Sequence, residues 1–333
     1  MADSPNTNTP DTNDNTLDID SAAVTARQVV AVRYGDPVDV LKIVEVELPA
    51  PDQGQVVVAV EAIGVNPIDA KIVRGVMGTD ESALPRPIGN ELSGTVRAVG
   101  PGTNDFAVGD PVIGYPVPGA YADHVVVGTD RLHRRPESLD VQRAAGLLLA
   151  GVTAADAVAT AQIAGGDVVV VHGGAGAVGV VAVQLAVKAG ATVIATAAQT
   201  NHAYLRGLGA IPVTYGDGLI ERIREGAPGA VTAAVDTVGT DEAIDVSLEL
   251  VVDRSRIVSI AAFGRAAEGI VVIAGPSAAS NRHRAEAIEP LIASAADGSL
   301  VTEVAATYPM DRAGHALADL SGRHPRGKFV LLP

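Results

Sequence analysis

Apolar and polar residues follow different patterns in the two halves of this chain. Between residues 27 and 135, short β-rich runs such as 55–60 and 123–127 are separated by glycine and proline turns, a pattern typical of an all-β or mixed unit. From about residue 150 onward, fully apolar runs alternate with alanine-rich stretches of helical length. That alternation predicts a parallel sheet with helices on both faces, so the chain is of the α/β class.

The second half contains a series of predicted strands and helices. Residues 167–172, DVVVVH, form an apolar strand, and a glycine-rich turn then leads into a helix over 177–189 that Gly190 ends. Thr240 is expected to cap a helix whose acidic first turn suits the helix dipole. The remaining predicted strands cover 192–196, 211–214, 230–236, 256–260 and 270–273, and further helices pass through 204–205 and 282–296.

The order of these patterns predicts two units, one inserted in the other. After the last parallel strand and its helix, the sequence returns to a mixed β/α pattern too short to fold as a domain alone. We therefore assign residues 25–148 and 275–333 to one unit, and residues 149–274 to a doubly wound unit inserted in it. Residues 1–24 are polar and acidic, and they are predicted to be a disordered tail.

Composition narrows the classes of function. A formal net charge of −15 at pH 7, without a cluster of Lys and Arg, disfavours contact with nucleic acid or with an anionic membrane surface. No apolar run approaches the roughly 20 residues that span a bilayer, and no secretion-signal pattern is evident. The chain has no cysteine, which excludes disulfides and thiolate zinc sites and fits a cytoplasmic enzyme.

The strongest chemical signal is the glycine-rich turn GGAGAVG over residues 173–179. Its glycines follow a strand and open a helix, the context in which they permit a tight turn and close approach of a pyrophosphate. The N–H groups at the start of the helix would hold the phosphates. We predict a nicotinamide dinucleotide site here, and the alternative is an ordinary tight strand-to-helix turn. The expected contacts are Gly174, Ala175, Gly176, Ala177 and Val178.

The choice of dinucleotide depends on the residues that follow the next strand. An NAD site usually carries Asp or Glu about 20 residues beyond the turn, where the acid binds the ribose hydroxyls. Residues 197–201 are AAQTN, so Gln199 is the expected contact and no acid would repel a 2′-phosphate. No Arg or Lys stands in this stretch to bind the phosphate either. The missing acid favours NADPH over NADH.

Several motifs resemble, in the same order, those of the zinc-independent quinone oxidoreductases of the medium-chain dehydrogenase/reductase superfamily. They are GVNPID at 64–69, the stretch 87–114, GAYADHVVV at 119–127, LAGVTA at 149–154, the glycine turn and VDTVG at 235–239. The resemblance covers residues 27–333. It implies a GroES-like β-barrel domain with an inserted Rossmann domain and an active site in the cleft between them. It also implies a homodimer joined through Rossmann sheet edges, with 270–273 as the expected edge.

The same resemblance bears on metal and reaction. Zinc-dependent members place a Cys where this chain has Asn66 and a His–Glu pair where it has Asn90 and Glu91, so a catalytic zinc site is not expected. None of the seven histidines forms a metal-spaced pair, and His172 is interpreted as structural. Without a Lewis acid, the acceptor must already be electrophilic. We expect NADPH-dependent hydride transfer to a small-molecule quinone or α,β-unsaturated carbonyl.

Two other functions stay open on the sequence. An enoyl-thioester reductase would use the same chemistry, and only its substrates would distinguish it. A nucleotide-binding protein of the same fold with little catalysis would bind NADPH tightly without turning over an acceptor.

Within the cleft, the resemblance points to two residues with a role in the reaction. Asn66 would donate a hydrogen bond to the substrate oxygen, or it is a turn asparagine beside Pro67. Lys71 would lie near the developing negative charge, or it is a solvated lysine. Asp69 is expected to fix the loop rather than to act as an acid or base.

The resemblance also implies further cofactor contacts. Thr153 matches a position near the nicotinamide, with a helix-capping role as the alternative. Tyr215 matches a tyrosine near the adenosine 2′-phosphate, with a surface tyrosine as the alternative. Gly327 and Lys328 match a common family ending that forms a strand or contacts the cofactor. The strand ends expected at the nicotinamide carry Val238, Ala261, Ala262 and Phe263.

Overall fold

The computed structural model describes residues 24–275, 277–322 and 325–333. The tail predicted over residues 1–24 therefore lies outside the described residues, apart from Val24, where the first strand begins. Among the residues described, no helix combines the length and the hydrophobicity that crossing a bilayer requires.

The first part of the chain is rich in short strands separated by turns. Its strands are β1 Val24–Ala31, β2 Leu41–Leu48, β3 Gln55–Val65, β4 Arg86–Pro87, β5 Leu92–Val99, β6 Pro111–Gly114, β7 His124–Gly128 and β8 Leu132–Arg134. Its helices are α1 Pro37–Val40, α2 Pro67–Val73 and α3 Val141–Ala145. The predicted run 55–60 falls within β3, and the run 123–127 overlaps β7, which begins one residue later, at His124.

Strands and helices alternate in the second part. The elements are α4 Leu148–Thr160, β9 Val168–His172, α5 Ala177–Lys188, β10 Thr192–Thr196, α6 His202–Gly207, β11 Ile211–Val213, α7 Leu219–Gly226, β12 Ala233–Asp236, α8 Asp241–Leu250, β13 Ile257–Ser259 and β14 Val271–Val272. The chain then forms α9 Ala278–Ala296, β15 Val304–Pro309, α10 Ala313–Ser321 and β16 Lys328–Leu332. Each strand predicted in this part is observed, and the largest difference is at β12, which begins at Ala233 rather than at residue 230.

The strands from β9 to β14 form one sheet with the order β11-β10-β9-β12-β13-β14. Every pairing between neighbours in this sheet is parallel. The chain winds outward from β9 to β11, crosses back, and winds outward again from β12 to β14, which is the strand order of a Rossmann fold. Because the winding reverses between β9 and β12, a crevice for a ligand forms at the carboxyl ends of these strands.

A second, mixed sheet has the order β15-β16-β3-β5-β6-β8, with β7 paired to β3 beside this path. Although β16 follows the parallel sheet in sequence, it pairs antiparallel with β3, so the Rossmann-type sheet is inserted between β8 and β15. A small sheet, β2-β1-β4, is joined to the segment before β7 through a bridge between Gln28 and Ala122. The described pairings leave the GroES-like part open rather than closed as a barrel. The residue boundaries of the two units stay a prediction.

Packing on both faces of the parallel sheet explains why β9 is apolar throughout. Val169 and Val171 belong to a core cluster on one face, whereas Val168 and Val170 belong to a cluster on the other. Each of these side chains is buried, and burying a valine contributes about 1.5–3 kcal/mol. A separate apolar cluster packs between the mixed sheet and the elements that cover it.

Helix α9 begins at Ala278, before the predicted start at residue 282. Its N-terminus is capped by Ser277, whose hydroxyl accepts the N–H of Ser280 (3.1 Å). One turn further on, α9 binds Asp156 of α4, a carboxylate with no exposed surface. The α9 side chains that bond to this carboxylate are Ser280, His283 (3.1 Å) and Arg284 (3.0 Å). A buried ionic cluster therefore holds α9 against the Rossmann-type sheet's helices.

Candidate active site

The turn between β9 and α5 requires glycine at several positions. Gly173 has a φ of +74°, its N–H donates to the Thr196 hydroxyl (3.0 Å), and the Gly174 N–H donates to the Thr196 carbonyl (2.9 Å). A Cβ on Gly179 would lie 2.1 Å from the Gly173 carbonyl oxygen, so a larger residue does not fit. Gly176 caps the helix, whose first N–H groups are oriented to bind an anion. The turn therefore has the geometry of a phosphate-binding loop.

A cleft of about 610 Å³ opens beside this turn, at the carboxyl ends of β9 and β12. Its volume is in the range of small-molecule and cofactor sites. The position is the switch point of the sheet, where doubly wound folds bind their ligands. The walls come from the turn, from the segments after β10, β11 and β12, and from the carboxyl-terminal segment, and they include Gly176, Ala198, Asn201, Tyr215, Val238 and Arg326.

A buried carboxylate organises the two strand-end loops at this cleft. Asp236 ends β12, and one of its oxygens accepts the N–H of Val238 (3.0 Å). Its other oxygen accepts the Ser259 hydroxyl (2.6 Å), and Ser259 in turn accepts the N–H groups of Ala261 (3.1 Å) and Ala262 (2.8 Å). One side chain thus fixes both segments that are predicted to contact the nicotinamide.

His172 is the last residue of β9 and lies at the cleft with almost no exposed surface. Its Nε2 atom lies 3.1 Å from the Ser247 hydroxyl. Burial lowers the pKa of His172 to about 4, and the nearby Asp236 carboxylate opposes that shift only in part. The imidazole is therefore neutral near pH 7.

A buried polar cluster lies where β3, β16 and α4 meet. The Lys328 ammonium group donates to the Asn66 amide oxygen (2.5 Å) and to Glu91 Oε1 (3.0 Å). The Asn66 amide nitrogen donates to the same Glu91 oxygen (2.9 Å) and to the Gly64 carbonyl (3.3 Å). The second Glu91 oxygen accepts the Leu149 N–H (2.8 Å) at the start of α4. Both N–H groups of the Asn66 amide are therefore engaged within the cluster.

The neighbouring Asp69 is also fully buried, at the first turn of α2. Its carboxylate accepts the backbone N–H of Asn66 (2.9 Å), the side-chain N–H of Asn90 (2.9 Å) and the hydroxyl of Tyr121 (3.0 Å). Burial raises the pKa of Asp69 to about 6, although these hydrogen bonds favour the ionised form. The three bonds hold the beginning of α2 in place.

Comparison with known proteins identifies this arrangement. The family model of the alcohol dehydrogenase GroES-like domain matches residues 52–137, and that of the zinc-binding dehydrogenases matches residues 177–285. The solved quinone oxidoreductase of Coxiella burnetii is 30% identical with a TM-score of 0.80, and the match covers 93% of this chain and 100% of that one. The chain belongs to the quinone oxidoreductase-like family of the medium-chain dehydrogenase/reductases.

Other relatives in this family carry named cofactors or substrates. The Escherichia coli quinone oxidoreductase solved with NADPH is 26% identical, with a TM-score of 0.80 and coverage of 92% of this chain and 100% of that one. The chloroplastic NADPH-dependent alkenal/one oxidoreductase of Arabidopsis thaliana is 29% identical over 90% of this chain and 78% of its own length. The chain spans 5% of the polyketide synthase GfsB of Streptomyces halstedii, 33% identical over 293 residues, and about half of the mammalian quinone oxidoreductases that it matches.

The structure brings some of the predicted cofactor contacts to the cleft wall, namely Ala175, Gly176, Tyr215 and Val238. Gly174, Ala177 and Val178 belong to the same turn without lining the cleft. Gln199 lies between two residues of the wall, Ala198 and Thr200. The roles of all these residues stay predictions.

The remaining predicted site residues lie beyond that wall. The Thr153 hydroxyl donates to the Leu149 carbonyl (2.7 Å) within α4, so Thr153 does not cap this helix. Ala261, Ala262 and Phe263 form the loop after β13. The Lys71 ammonium nitrogen lies 5.2 Å from the centroid of the Phe263 ring, so α2 of the GroES-like part contacts the Rossmann-type part here.

Sequence reasoning missed Arg326, which lines the same cleft. Its guanidinium lies 3.7 Å from the centroid of the Tyr204 ring and donates to the Asn201 side chain (3.2 Å) and to Glu303 (2.9 Å). Asn201 lies five residues after the end of β10, in the stretch AAQTN, which contains no basic residue. No local signal connects Arg326 with that stretch, because the two meet only when β16 returns to the fold.

Proposed function

We propose that this protein is an NADPH-dependent reductase that transfers hydride to a quinone or an α,β-unsaturated carbonyl without a metal. The observation that carries the proposal is the Lys328 ammonium group, which bonds to Asn66 and Glu91. These are positions at which zinc-dependent relatives place Cys and the Glu of the His–Glu pair. The positive charge of Lys328 balances the negative charge of the Glu91 carboxylate. The amides of Asn66 and Asn90 replace the thiolate and imidazole that would bind a catalytic zinc ion.

The donor set therefore does not fit zinc. Within the described ranges, no three His, Cys, Asp or Glu side chains are grouped as a metal site. A metal ion between Asn66 and Glu91 would also face the Lys328 ammonium group at hydrogen-bond distance from both, which is electrostatically unfavourable. With this set of residues, an acceptor that is already electrophilic is the substrate that the site supports.

The names of relatives favour the same class of acceptor. The solved Coxiella burnetii relative is a quinone oxidoreductase, and the Arabidopsis thaliana relative is an alkenal/one oxidoreductase. Both quinones and enones accept hydride at carbon and place the resulting negative charge on a carbonyl oxygen. A site for either one needs a cation or hydrogen-bond donor at that oxygen.

The chain's own residues would bind the acceptor and stabilise its charge. A bound nicotinamide supplies hydride to the electrophilic carbon. We assign Lys71 to the acceptor oxygen, because its ammonium group contacts the ring of Phe263 in the loop after β13, where the nicotinamide is predicted to lie. Asn66 would join it by releasing the longer of its two donated bonds, the 3.3 Å bond to the Gly64 carbonyl.

For the cofactor, we assign three groups of contacts. The turn from Gly174 to Val178 would hold the pyrophosphate. Gln199 and Tyr215 would contact the adenosine end. The nicotinamide would lie against Thr153, Val238, Ala261, Ala262 and Phe263.

Arg326 supports the preference for NADPH. The stretch AAQTN after β10 has no carboxylate that would repel a 2′-phosphate, and Arg326 brings a guanidinium group to Asn201 in that stretch. Stacking on Tyr204 and the ion pair with Glu303 hold this guanidinium in place before a ligand arrives. A fixed guanidinium binds phosphate well because little side-chain entropy is lost.

The Arg326→Ala variant tests this assignment. We expect its Kd for NADPH to rise at least about tenfold, as for loss of a charged hydrogen bond, while its Kd for NADH changes less than about twofold. Fluorescence titration of both nucleotides measures the two constants. Arg97→Ala, at an exposed position of β5, is the matched control. Equal weakening of both nucleotides would contradict the role in 2′-phosphate binding.

The proposed reaction is tested by the oxidation of NADPH with a panel of acceptors. The panel contains 1,4-naphthoquinone, an acyclic enone, an enoyl thioester and, in the reverse direction with NADP⁺, ethanol. We expect turnover with the quinone or the enone, none with ethanol, and no loss of rate after dialysis against EDTA. Oxidation of ethanol that EDTA abolishes would refute the proposal.

The same panel separates the other candidate functions. The 33% identity to the polyketide synthase GfsB is the reason to include a thioester, and turnover of the thioester alone would identify an enoyl-thioester reductase. Tight NADPH binding without turnover of any acceptor would identify a nucleotide-binding protein. A cytoplasmic location stays a prediction from the cysteine-free composition.

We also propose a homodimer. Strand β14 lies at one end of the parallel sheet, and its two valines, Val271 and Val272, are half-buried rather than covered. An apolar strand at a sheet edge is suited to pairing with a second copy. Sedimentation equilibrium at micromolar concentration measures the mass, and the mass of one chain would rule the dimer out.

A further inference from the structure

Lys71 of the GroES-like part and Phe263 of the Rossmann-type part contact each other. The Lys71 ammonium nitrogen lies 5.2 Å from the centroid of the Phe263 ring, within the range of a cation–π contact. Lys71 belongs to α2, whose start is fixed by the bonds of Asp69 to Asn66, Asn90 and Tyr121. The cation is thus presented by a helix with a buried anchor.

Phe263 is held from the other side. The preceding residue, Ala262, donates its N–H to the Ser259 hydroxyl (2.8 Å), which Asp236 fixes in turn. The residues that follow are anchored by Arg265, which bonds to the carboxylates of Asp241 (2.8 Å), Asp245 (2.5 Å) and Glu268. The segment that carries Phe263 is therefore fixed at both ends.

Although its segment is fixed at both ends, the Phe263 ring is partly exposed and can contact a ligand. The residue is 48% exposed, although large apolar side chains in ordered loops are usually covered. An exposed aromatic ring with a cation above it combines two kinds of recognition. The ring stacks on a flat conjugated molecule, and the ammonium group binds a carbonyl oxygen at the edge of that molecule.

We propose that Phe263 and Lys71 form one wall of the acceptor site, and that Phe263 determines specificity by selecting flat conjugated rings over acyclic enones. This inference rests on the proposed function, because it concerns the acceptor of that reaction. Phe263 supplies the stacking surface, and Lys71 supplies the cation for the carbonyl oxygen. Aromatic stacking of this kind changes affinity by roughly threefold to tenfold.

The test measures binding separately from turnover. The Kd of 1,4-naphthoquinone and the Kd of the acyclic 3-penten-2-one are measured by calorimetry on the protein saturated with NADP⁺, which donates no hydride. The absence of cysteine in the chain avoids addition of thiols to the quinone. The variants are Phe263→Leu, which removes the aromatic face, and Phe263→Trp, which keeps it. Val252→Ala, at a side chain that is 99% exposed, is the control.

We expect Phe263→Leu to raise the Kd of naphthoquinone about fivefold to tenfold and to leave the Kd of pentenone within twofold. Phe263→Trp and Val252→Ala should keep both constants within twofold of the unmodified protein. Equal changes for the two ligands in Phe263→Leu, no change for either, or a tryptophan variant that behaves like the leucine variant would each overturn the inference. If the binding pattern holds while NADPH reduces no acceptor, the proposed function fails and the wall is retained as a binding site.

Discussion

Glu91 poses the main electrostatic problem at the scale of single residues. Its carboxylate is almost completely buried, and three partners satisfy it, namely the ammonium of Lys328, the amide of Asn66 and the N–H of Leu149. Removing one partner of a buried ion pair costs more than the pair itself contributes, because a charge remains without compensation. Lys328 is therefore expected to matter for folding as well as for the site.

Replacing Lys328 with Met should lower the free energy of unfolding by about 3–5 kcal/mol, because Glu91 is then left buried and unpaired. Urea unfolding followed by circular dichroism measures the change. The double variant Lys328→Met, Glu91→Gln should recover part of the loss, since it removes the unpaired charge. Lys188→Met, at an exposed lysine, is the control. A single variant as stable as this control would contradict the compensation of Glu91 by Lys328.

At the scale of elements, the turn after β9 needs glycine for two different reasons, close packing at one position and space for a ligand at another. At Gly179 the requirement is packing, because an added Cβ would lie 2.1 Å from the Gly173 carbonyl oxygen. At Gly176 the nearest atom to an added Cβ is 3.4 Å away, and the φ of −74° suits any residue. A side chain at position 176 would therefore not clash with the protein. It would instead occupy the space in which the phosphates of the dinucleotide are predicted to bind.

Alanine at these two positions should therefore have different effects. We expect Gly179→Ala to lower the melting temperature by several degrees, because the backbone of the turn must shift. We expect Gly176→Ala to melt close to the unmodified protein but to bind NADPH at least about tenfold more weakly. Differential scanning fluorimetry with and without NADPH measures both properties. Equal melting temperatures for the two variants would contradict the distinction.

The sequence was sufficient for elements whose signals are local. Each of these signals is carried by residues that are neighbours in the sequence. The apolar run of β9, the glycine turn and the helix cap at Thr240 are examples, and all three are observed. Contacts between residues that are far apart in the sequence could not be predicted from local patterns. Lys328 meets Glu91, and Arg326 meets Asn201, only because β16 pairs with β3. The early start of α9 was missed because its cap and its ionic anchor on Asp156 leave no apolar periodicity.

At the scale of the whole molecule, the cleft depends on both parts of the fold. The glycine turn and the loop after β12 belong to the parallel sheet, whereas Arg326 precedes the strand that returns to the GroES-like part. Two buried groups, His172 and Asp69, also make the stability of the folded molecule respond to pH in opposite directions. Their shifts can be separated by comparing variants.

His172 should contribute a stability that is lost in acid. Its pKa is lowered from 6.5 to about 4 in the folded protein, so the unfolded chain takes up the proton first as the pH falls from 6.5 toward 4. We expect the free energy of unfolding of the unmodified protein, minus that of His172→Gln, to increase by about 1.4 kcal/mol per unit between pH 4.5 and 6. Urea unfolding at several pH values measures this difference.

Asp69 has the opposite pH dependence but does not affect that comparison. Its pKa is raised to about 6, so its contribution is present below pH 3.8 and is lost as the pH rises through 6. Because Asp69 is unchanged in both proteins, its effect cancels in the difference. A difference that is independent of pH would show that His172 is protonated in the folded state, contrary to its burial.

The carboxylate of Asp236 has a consequence for motion. It holds the loop after β12 directly and the loop after β13 through Ser259, so the two loops share one anchor. Opening either loop exposes a buried charge that also belongs to the other, and the two should open as a single cooperative unit. A ligand that contacts only one of the two loops should therefore slow hydrogen exchange in both. The conformational entropy of the second loop is then already lost when a second ligand binds to that loop.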